Sequence, residues 1–226
     1  MVPGVWSLSA VEGTEAAWAS EMNWCGDRLR SIFNRCKDPN KSGFTGRGQY
    51  RFEDRDEERL PLLATCQRAV VQWLRNHTAG HADTLGELTL LWSDPHCKKQ
   101  KWHRDSYCTD WLHFGPEDSG LSLLLNVERE PAIFWCVPGS HKLTDEAVYS
   151  CNLPLSRIEI PPGGAVCFNQ MLMHSGGQNP LDTPHRRVFW YVNYGWVRAH
   201  VNGTHFPVTA VDKHLEVSTR ELVEET

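Results

Sequence analysis

The residues with the clearest capacity for chemistry lie in the segment KWHRDSY, where His103 and Asp105 stand two positions apart. On an extended strand, residues i and i+2 project to the same side, so an imidazole and a carboxylate there converge on one point. With one further imidazole they form a two-histidine, one-carboxylate facial triad. That donor set suits non-haem iron(II) and leaves positions open for a cosubstrate and dioxygen. His174 is the natural third ligand, because it closes the run QMLMH just before the turn-forming SGGQNP. Further on, PHRRVFWYVNY opens an apolar run with the pair Arg186 and Arg187, and a guanidinium at that point can clamp a dicarboxylate bidentately. A lone His-x-Asp arises often by chance, so the weight rests on the combination.

The elements that position these residues follow from hydrophobic patterning. Residues 1–56 are polar and rich in turn formers, which predicts an arm of loops with a short helix around 14–24. In RLPLLATCQRAVVQWLRNHT the apolar residues Leu62, Leu63, Cys66, Ala69, Val70, Trp73 and Leu74 recur at helical steps, so an amphipathic helix is expected there. After His81 the pattern turns to short β-rich runs: ELTLLWS, KKQKWHRD, LSLLLNVE, AIFWCVPG, SRIEIPPGGAVCFNQ, MLMH and RRVFWYVNYGW. About eight such strands following a helix predict a mainly β fold, a sandwich or jelly-roll barrel with flanking helices. The expected division is a single domain with an arm and helices over 1–80, a β core over 81–210 and a tail over 211–226.

Taken in order, WHRD, LSLLLNVE, VPGSHK, GGAVCFNQMLMHSGGQNP and RRVFWYVNY resemble the phytanoyl-CoA dioxygenase family over roughly residues 85–195. The resemblance implies a double-stranded β-helix, cupin-like in form, with Fe(II), 2-oxoglutarate as cosubstrate, O2, and ascorbate as a supporting reductant. It makes His103, Asp105 and His174 the iron ligands and matches Arg186 to the arginine that holds the far carboxylate of 2-oxoglutarate. Strand alternation puts Arg186 and Arg187 on opposite faces, and Arg186 is taken because it opens the RRV run. The resemblance further implies hydroxylation of a substrate C–H bond with release of succinate and CO2. Because Asp105 is retained, hydroxylation or desaturation is favoured over halogenation, which in relatives needs a small residue at that position. Two departures stand out. The chain has EPAIFW where the family carries a glycine, and its stretch from the distal histidine to the arginine is longer than usual.

Around this core, Tyr107 and Trp111 are candidates to line the substrate pocket, and His141 in PGSH reads as part of a turn. Lys98, Lys99, Lys101 and Arg104 read as a solvated hairpin. His96, His113, His185, His200, His205 and His214 lack partners at ligand spacing and read as surface or loop residues. Trp92, Trp102, Trp111, Trp135 and Trp190 fall in or beside expected strands, where large rings fill a core, the pocket being the alternative place for Trp111. The eight cysteines lack CxxC spacing, which argues against a zinc knuckle. Cys136 and Cys167 sit in apolar runs as buried small hydrophobes, reduced thiols are expected, and sequence leaves a Cys25–Cys36 bridge open.

A formal net charge of -5 gives no bulk reason to expect nucleic acid or an anionic membrane as partner. No apolar run approaches the roughly 20 residues of a membrane span, and no signal-peptide pattern is seen, so a cytoplasmic location is expected. The expected partner is a small-molecule or acyl substrate, with oligomeric state open. The alternatives are a 2-oxoglutarate oxygenase acting on protein or nucleic acid and, in another class, a non-catalytic cupin-like metal-binding protein.

Overall fold

Alternation along the apolar runs sorts their side chains into three hydrophobic clusters, and those clusters define the layers. The computed structural model describes residues 5–8, 15–36, 46–53, 55–57, 59–62, 64–65, 84–105 and 121–193. Among the described residues nine strands are formed: β1 (Val5–Leu8), β2 (Arg47–Arg51), β3 (Thr84–Ser93), β4 (Leu121–Asn126), β5 (Ala132–Cys136), β6 (Ser156–Ile160), β7 (Ala165–Asn169), β8 (His174–Gly176) and β9 (His185–Asn193). The larger sheet has the order β1-β7-β4-β9-β3-β2 and the smaller β6-β5-β8. Every described pairing is antiparallel.

The cluster between the sheets joins Leu124, Val166 and Phe168 of the larger sheet to Ala132, Phe134, Cys136 and Ile160 of the smaller. The opposite face of the larger sheet, with Leu88, Leu90, Trp92, Leu123, Leu125 and Cys167, packs on helix α1 (Glu15–Cys36) through Cys25, Leu29, Ile32 and Phe33. These four helix residues follow the three- and four-residue steps of one buried stripe. The outer face of the smaller sheet carries Trp135, Val137 and Met173 against Trp102 and against Val148 of the short helix α2 (Asp145–Ser150). The jelly-roll expectation is met, and within it β4 and β5 each serve two layers by period-two alternation.

Two expectations are corrected. The stretch read as an arm of loops contributes a 22-residue helix and two strands, with β1 pairing β7 and β2 pairing β3. The helix runs well past residue 24, through Gly26, a residue that costs about 1 kcal/mol in a helix interior relative to alanine. A Cβ at Gly26 would stand 3.2 Å from the Val127 carbonyl, so the glycine permits the close approach of α1 to the end of β4. A Cys25–Cys36 bridge is ruled out: both residues lie on α1, about 16 Å apart along its axis at 1.5 Å per residue, and Cys25 is a free, buried thiol.

Cys136 and Cys167 are buried, as are Trp92, Trp102 and Trp135. Of the helix expected from Arg59 onward, residues 59–62 and 64–65 are helical and the remainder falls outside the described residues, as does the expected tail. Among the described residues no helix is long and apolar enough to cross a membrane.

Candidate metal centre

Two histidines meet across a single antiparallel bridge. His103 N donates to the His174 carbonyl at 3.0 Å, and His174 N returns the bond to His103 at 2.9 Å. The segment KKQKWHRD therefore lies beside β8 but, contrary to expectation, does not form a regular strand. Beyond the bridge the register breaks, and Asp105 N donates to the Gln170 carbonyl at 3.0 Å. His174 is brought to this point by a tight turn after β7. There Asn169 Oδ1 accepts from Met171 N at 2.8 Å and the Asn169 carbonyl accepts from Leu172 N at 2.9 Å.

The three side chains are almost wholly enclosed, at 4%, 2% and 6% exposure for His103, Asp105 and His174. Each imidazole has Nδ1 against a main-chain carbonyl two residues back, His103 to Lys101 at 2.8 Å and His174 to Leu172 at 2.9 Å. Donation from Nδ1 fixes the tautomer and makes Nε2 the lone-pair nitrogen, which is how metal-binding histidines are commonly held. Both Nε2 atoms turn toward Asp105 Oδ1, at 3.9 Å from His103 and 3.5 Å from His174. Asp105 Oδ2 faces the other way and accepts from Ser122 Oγ at 2.8 Å. One ligand atom from each of the three residues lies within 4.8 Å of the others. Two imidazole nitrogens and one carboxylate oxygen, each oriented by its second polar atom, fit a divalent transition metal bound on one side. Phe134 and Phe168 lie against the His174 ring with centroids 5.3 and 4.7 Å away and give the centre an apolar wall.

The residue between the ligands, Arg104, departs from its expected place in a solvated hairpin. It is 4% exposed, and burial pulls its guanidinium below the usual arginine range while Asp145 opposes that shift. It donates to Asp145 Oδ1 at 2.8 Å, to the carbonyls of Ser140 and Leu143 at 3.0 Å each, and to the Met171 carbonyl. Arg104 thus ties the ligand segment to the PGSH turn and to the turn that delivers His174. PGSH forms a turn, as its sequence suggested, and Ser140 Oγ also accepts from Met173 N at 2.8 Å, which makes the segment a brace for the stretch leading into His174. Behind β8, Arg47 of β2 donates to the carbonyls of Lys98, Gly176 and Gly177. The Gln100 side chain accepts from Gly176 N at 3.1 Å.

Arg186 does not share the metal-facing side of the sheet. Its side chain engages Glu128 and stands 5.7 Å over the Phe33 ring of α1. In the register it pairs with Trp92, which belongs to the α1 layer. Directly paired residues share a face, and position 187 pairs with Leu91, which packs on the inter-sheet cluster, and with Asn126, two positions from Leu124 on the inward side of β4. His185, read as a surface residue, is buried, with Nε2 3.1 Å from the Glu130 carbonyl. His96 is exposed as expected and pairs with Asp182. Tyr107 and Trp111, the candidate pocket residues, lie outside the described residues. Sequence reasoning missed Ser122, Gln100 and Arg47. For Ser122 a signal was present, since a lone hydroxyl interrupts the inward face of the otherwise apolar run LSLLL.

The sequence model of the phytanoyl-CoA dioxygenase (PhyH) family matches residues 36–188, a span that contains the whole cluster. No curated protein sequence matches the chain. Among solved structures the fold is similar to SnoN, a non-haem alpha-ketoglutarate-dependent epimerase from nogalamycin biosynthesis. The TM-score is 0.58 at 16% identity, over 84% of this chain and 77% of that one. It is similar also to EctD from S. alaskensis, solved with 2-oxoglutarate and 5-hydroxyectoine, with a TM-score of 0.56 at 16% identity over 85% and 72% of the two chains. HygX from Streptomyces hygroscopicus, solved with nickel and 2-oxoglutarate, gives 0.55 at 17% identity over 84% and 82%.

Proposed function

Because the chain belongs to the phytanoyl-CoA dioxygenase family, we propose that it is an iron(II)- and 2-oxoglutarate-dependent dioxygenase that hydroxylates a C–H bond of a small-molecule or acyl substrate, with release of succinate and CO2. The observation that carries this reading is the buried convergence of His103, Asp105 and His174 inside the matched span. Iron with 2-oxoglutarate and O2, when bound, supplies the oxidising power needed to cleave an unactivated C–H bond. The chain's own contribution is to hold three ligands on one side, orient the cosubstrate and shield the reaction from water.

His103 and His174 supply neutral Nε2 donors, kept in that tautomer by the carbonyls of Lys101 and Leu172. Asp105 supplies one carboxylate oxygen and the negative charge that favours a divalent ion. Phe134, Phe168 and Leu172 close the apolar side of the centre and exclude water from it. Arg187, rather than Arg186, is assigned to the far carboxylate of 2-oxoglutarate. The strand register supports this assignment, as does the engagement of Arg186 by Glu128 on the α1 side. Retention of Asp105 supports hydroxylation over halogenation, since no position is vacated for a halide. The cosolved ligands of relatives, 5-hydroxyectoine for EctD and hygromycin B for HygX, support a small-molecule substrate. The free thiols at Cys25, Cys97, Cys136, Cys151 and Cys167 are in keeping with a reducing compartment such as the cytoplasm.

The test is turnover. Protein reconstituted with Fe(II) and ascorbate under air is expected to convert 2-oxoglutarate to succinate, with stimulation by a cognate substrate drawn from small polar and acyl compounds. A protein that binds iron yet neither binds nor consumes 2-oxoglutarate, with any compound supplied, would be a metal-binding cupin-like protein instead.

A further inference from the structure

Ser122 is wholly buried on β4, paired with Phe168 and Tyr191 on the neighbouring strands, and is the one hydroxyl in LSLLL. A buried hydroxyl is retained where it has a partner, and this one donates to Asp105 Oδ2 at 2.8 Å. Asp105 is also held through its amide on the Gln170 carbonyl, just past the end of β7, the strand that pairs with β4. The Ser122 bond therefore ties the ligand carboxylate to the larger sheet, the sheet that also carries position 187. A carboxylate has two oxygens able to bind a metal, and an ion that takes both loses an open position. An oxygen that already accepts a hydrogen bond is the poorer metal donor, and here that oxygen is Oδ2, while Oδ1 faces both imidazoles.

We infer that Ser122 is a positioning residue that restricts Asp105 to one-oxygen coordination and so keeps a coordination position open opposite the ligands. The inference rests on the metal-centre reading above and adds to it a residue outside the triad. Hydrogen-bond partners of a metal-ligand side chain typically alter metal affinity by about 10–100-fold when removed.

Titration of the apo-protein with Co(II) tests it, because the metal's visible absorption reports both affinity and coordination. Ser122→Ala is expected to weaken Co(II) binding by about 10–100-fold and to change the visible band, while Ser122→Thr, which keeps the hydroxyl, restores both. In an Asp105→Ala background, Ser122→Ala is expected to cause no further loss. Wild-type affinity and spectrum in Ser122→Ala would overturn the inference and leave the metal-centre reading standing. An equal loss in the Asp105→Ala background would overturn it too, since general loosening of the barrel would then account for the effect. Failure of the wild type to bind Co(II) or Fe(II) would overturn both. Should Ser122→Ala not fold, Ser122→Cys, of similar size but a weak donor, decides in its place. Weakened binding there supports the inference, and wild-type binding overturns it.

Discussion

A buried carboxylate two residues from a buried imidazole is costly unless something organises it. Here the organising groups are visible atom by atom: Lys101 and Leu172 carbonyls on the imidazoles, Ser122 on the carboxylate. Asp105→Ala is accordingly expected to abolish 2-oxoglutarate turnover and most metal affinity, as measured by succinate formation and iron titration. The two arginines separate cleanly at this scale. Arg187→Ala is expected to raise the apparent KM for 2-oxoglutarate at least tenfold, a loss of about 1.4 kcal/mol. Arg186→Ala should leave that KM near the wild-type value and cost about 1–3 kcal/mol of stability, because Glu128 loses its partner at a largely enclosed site. Steady-state kinetics and urea unfolding of the two variants check the pair of outcomes, and reversal of the KM effects would contradict the assignment. The clustering of His103, Asp105 and His174 was legible in the sequence through the His-x-Asp spacing together with the family resemblance. The choice between adjacent arginines was not, since it depends on which face of β9 turns inward, a property of register with β3 and β4.

At the scale of elements, the site is held by contacts between segments that have little regular structure of their own. Arg104 joins four acceptors, three of them main-chain carbonyls. Arg104→Met is expected to destabilise the fold by on the order of 3–5 kcal/mol, and Arg104→Lys to recover little, because an ammonium cannot span the same fork of acceptors. Thermal or urea unfolding of both variants checks this. Gly177 follows β8, where a Cβ would fall 2.4 Å from Ile133 Cβ and 2.9 Å from its carbonyl oxygen. Gly177→Ala must push β8 away from β5 and should lower stability by about 1–3 kcal/mol while weakening metal binding through His174. Period-two alternation in AIFWC and LSLLLN made β4 and β5 readable in advance. The ligand segment 98–105 does not form the expected strand, and its sequence carries no apolar alternation, Trp102 being its one large apolar residue. Its partner there is a single bridge, and side chains from Arg47, Gln100 and Arg104 supply what a ladder would have done. The long helix was under-read because residues 1–56 are polar and rich in turn formers, while the stripe of Cys25, Leu29, Ile32 and Phe33 that buries it is sparse.

The described residues form a layered body, helix on large sheet, large sheet on small sheet, small sheet on a short helix, and its thiols report on those layers. Cys136 and Cys167 lie between or behind the sheets, and burial pushes each thiol from the ordinary 9.0 up to about 12. Cys25, under α1, is pushed up to about 11, with the Thr65 hydroxyl acting in the opposite direction. A folded value above the unfolded one means that the unfolded chain releases protons first as pH rises. This contribution is therefore intact below about pH 9 and is lost between about pH 9 and 12. Stability is expected to fall over that window, and Cys136→Ala with Cys167→Ala should flatten the decline in a pH series of urea titrations. Of Cys25, Cys97, Cys136, Cys151 and Cys167, Cys151 alone is exposed and should be the first of the five alkylated by iodoacetamide at neutral pH, as peptide mass analysis would show. The proposed binding of iron(II) together with 2-oxoglutarate falls to His103, Asp105 and His174, in the space between the two sheets. Its most direct test is anaerobic addition of Fe(II) and 2-oxoglutarate to the apo-protein with visible absorption spectroscopy. The account predicts a charge-transfer band that needs both additions, saturates at one iron per chain and vanishes in His174→Ala. A band that survives His174→Ala unchanged, or no band in the wild type, would contradict it.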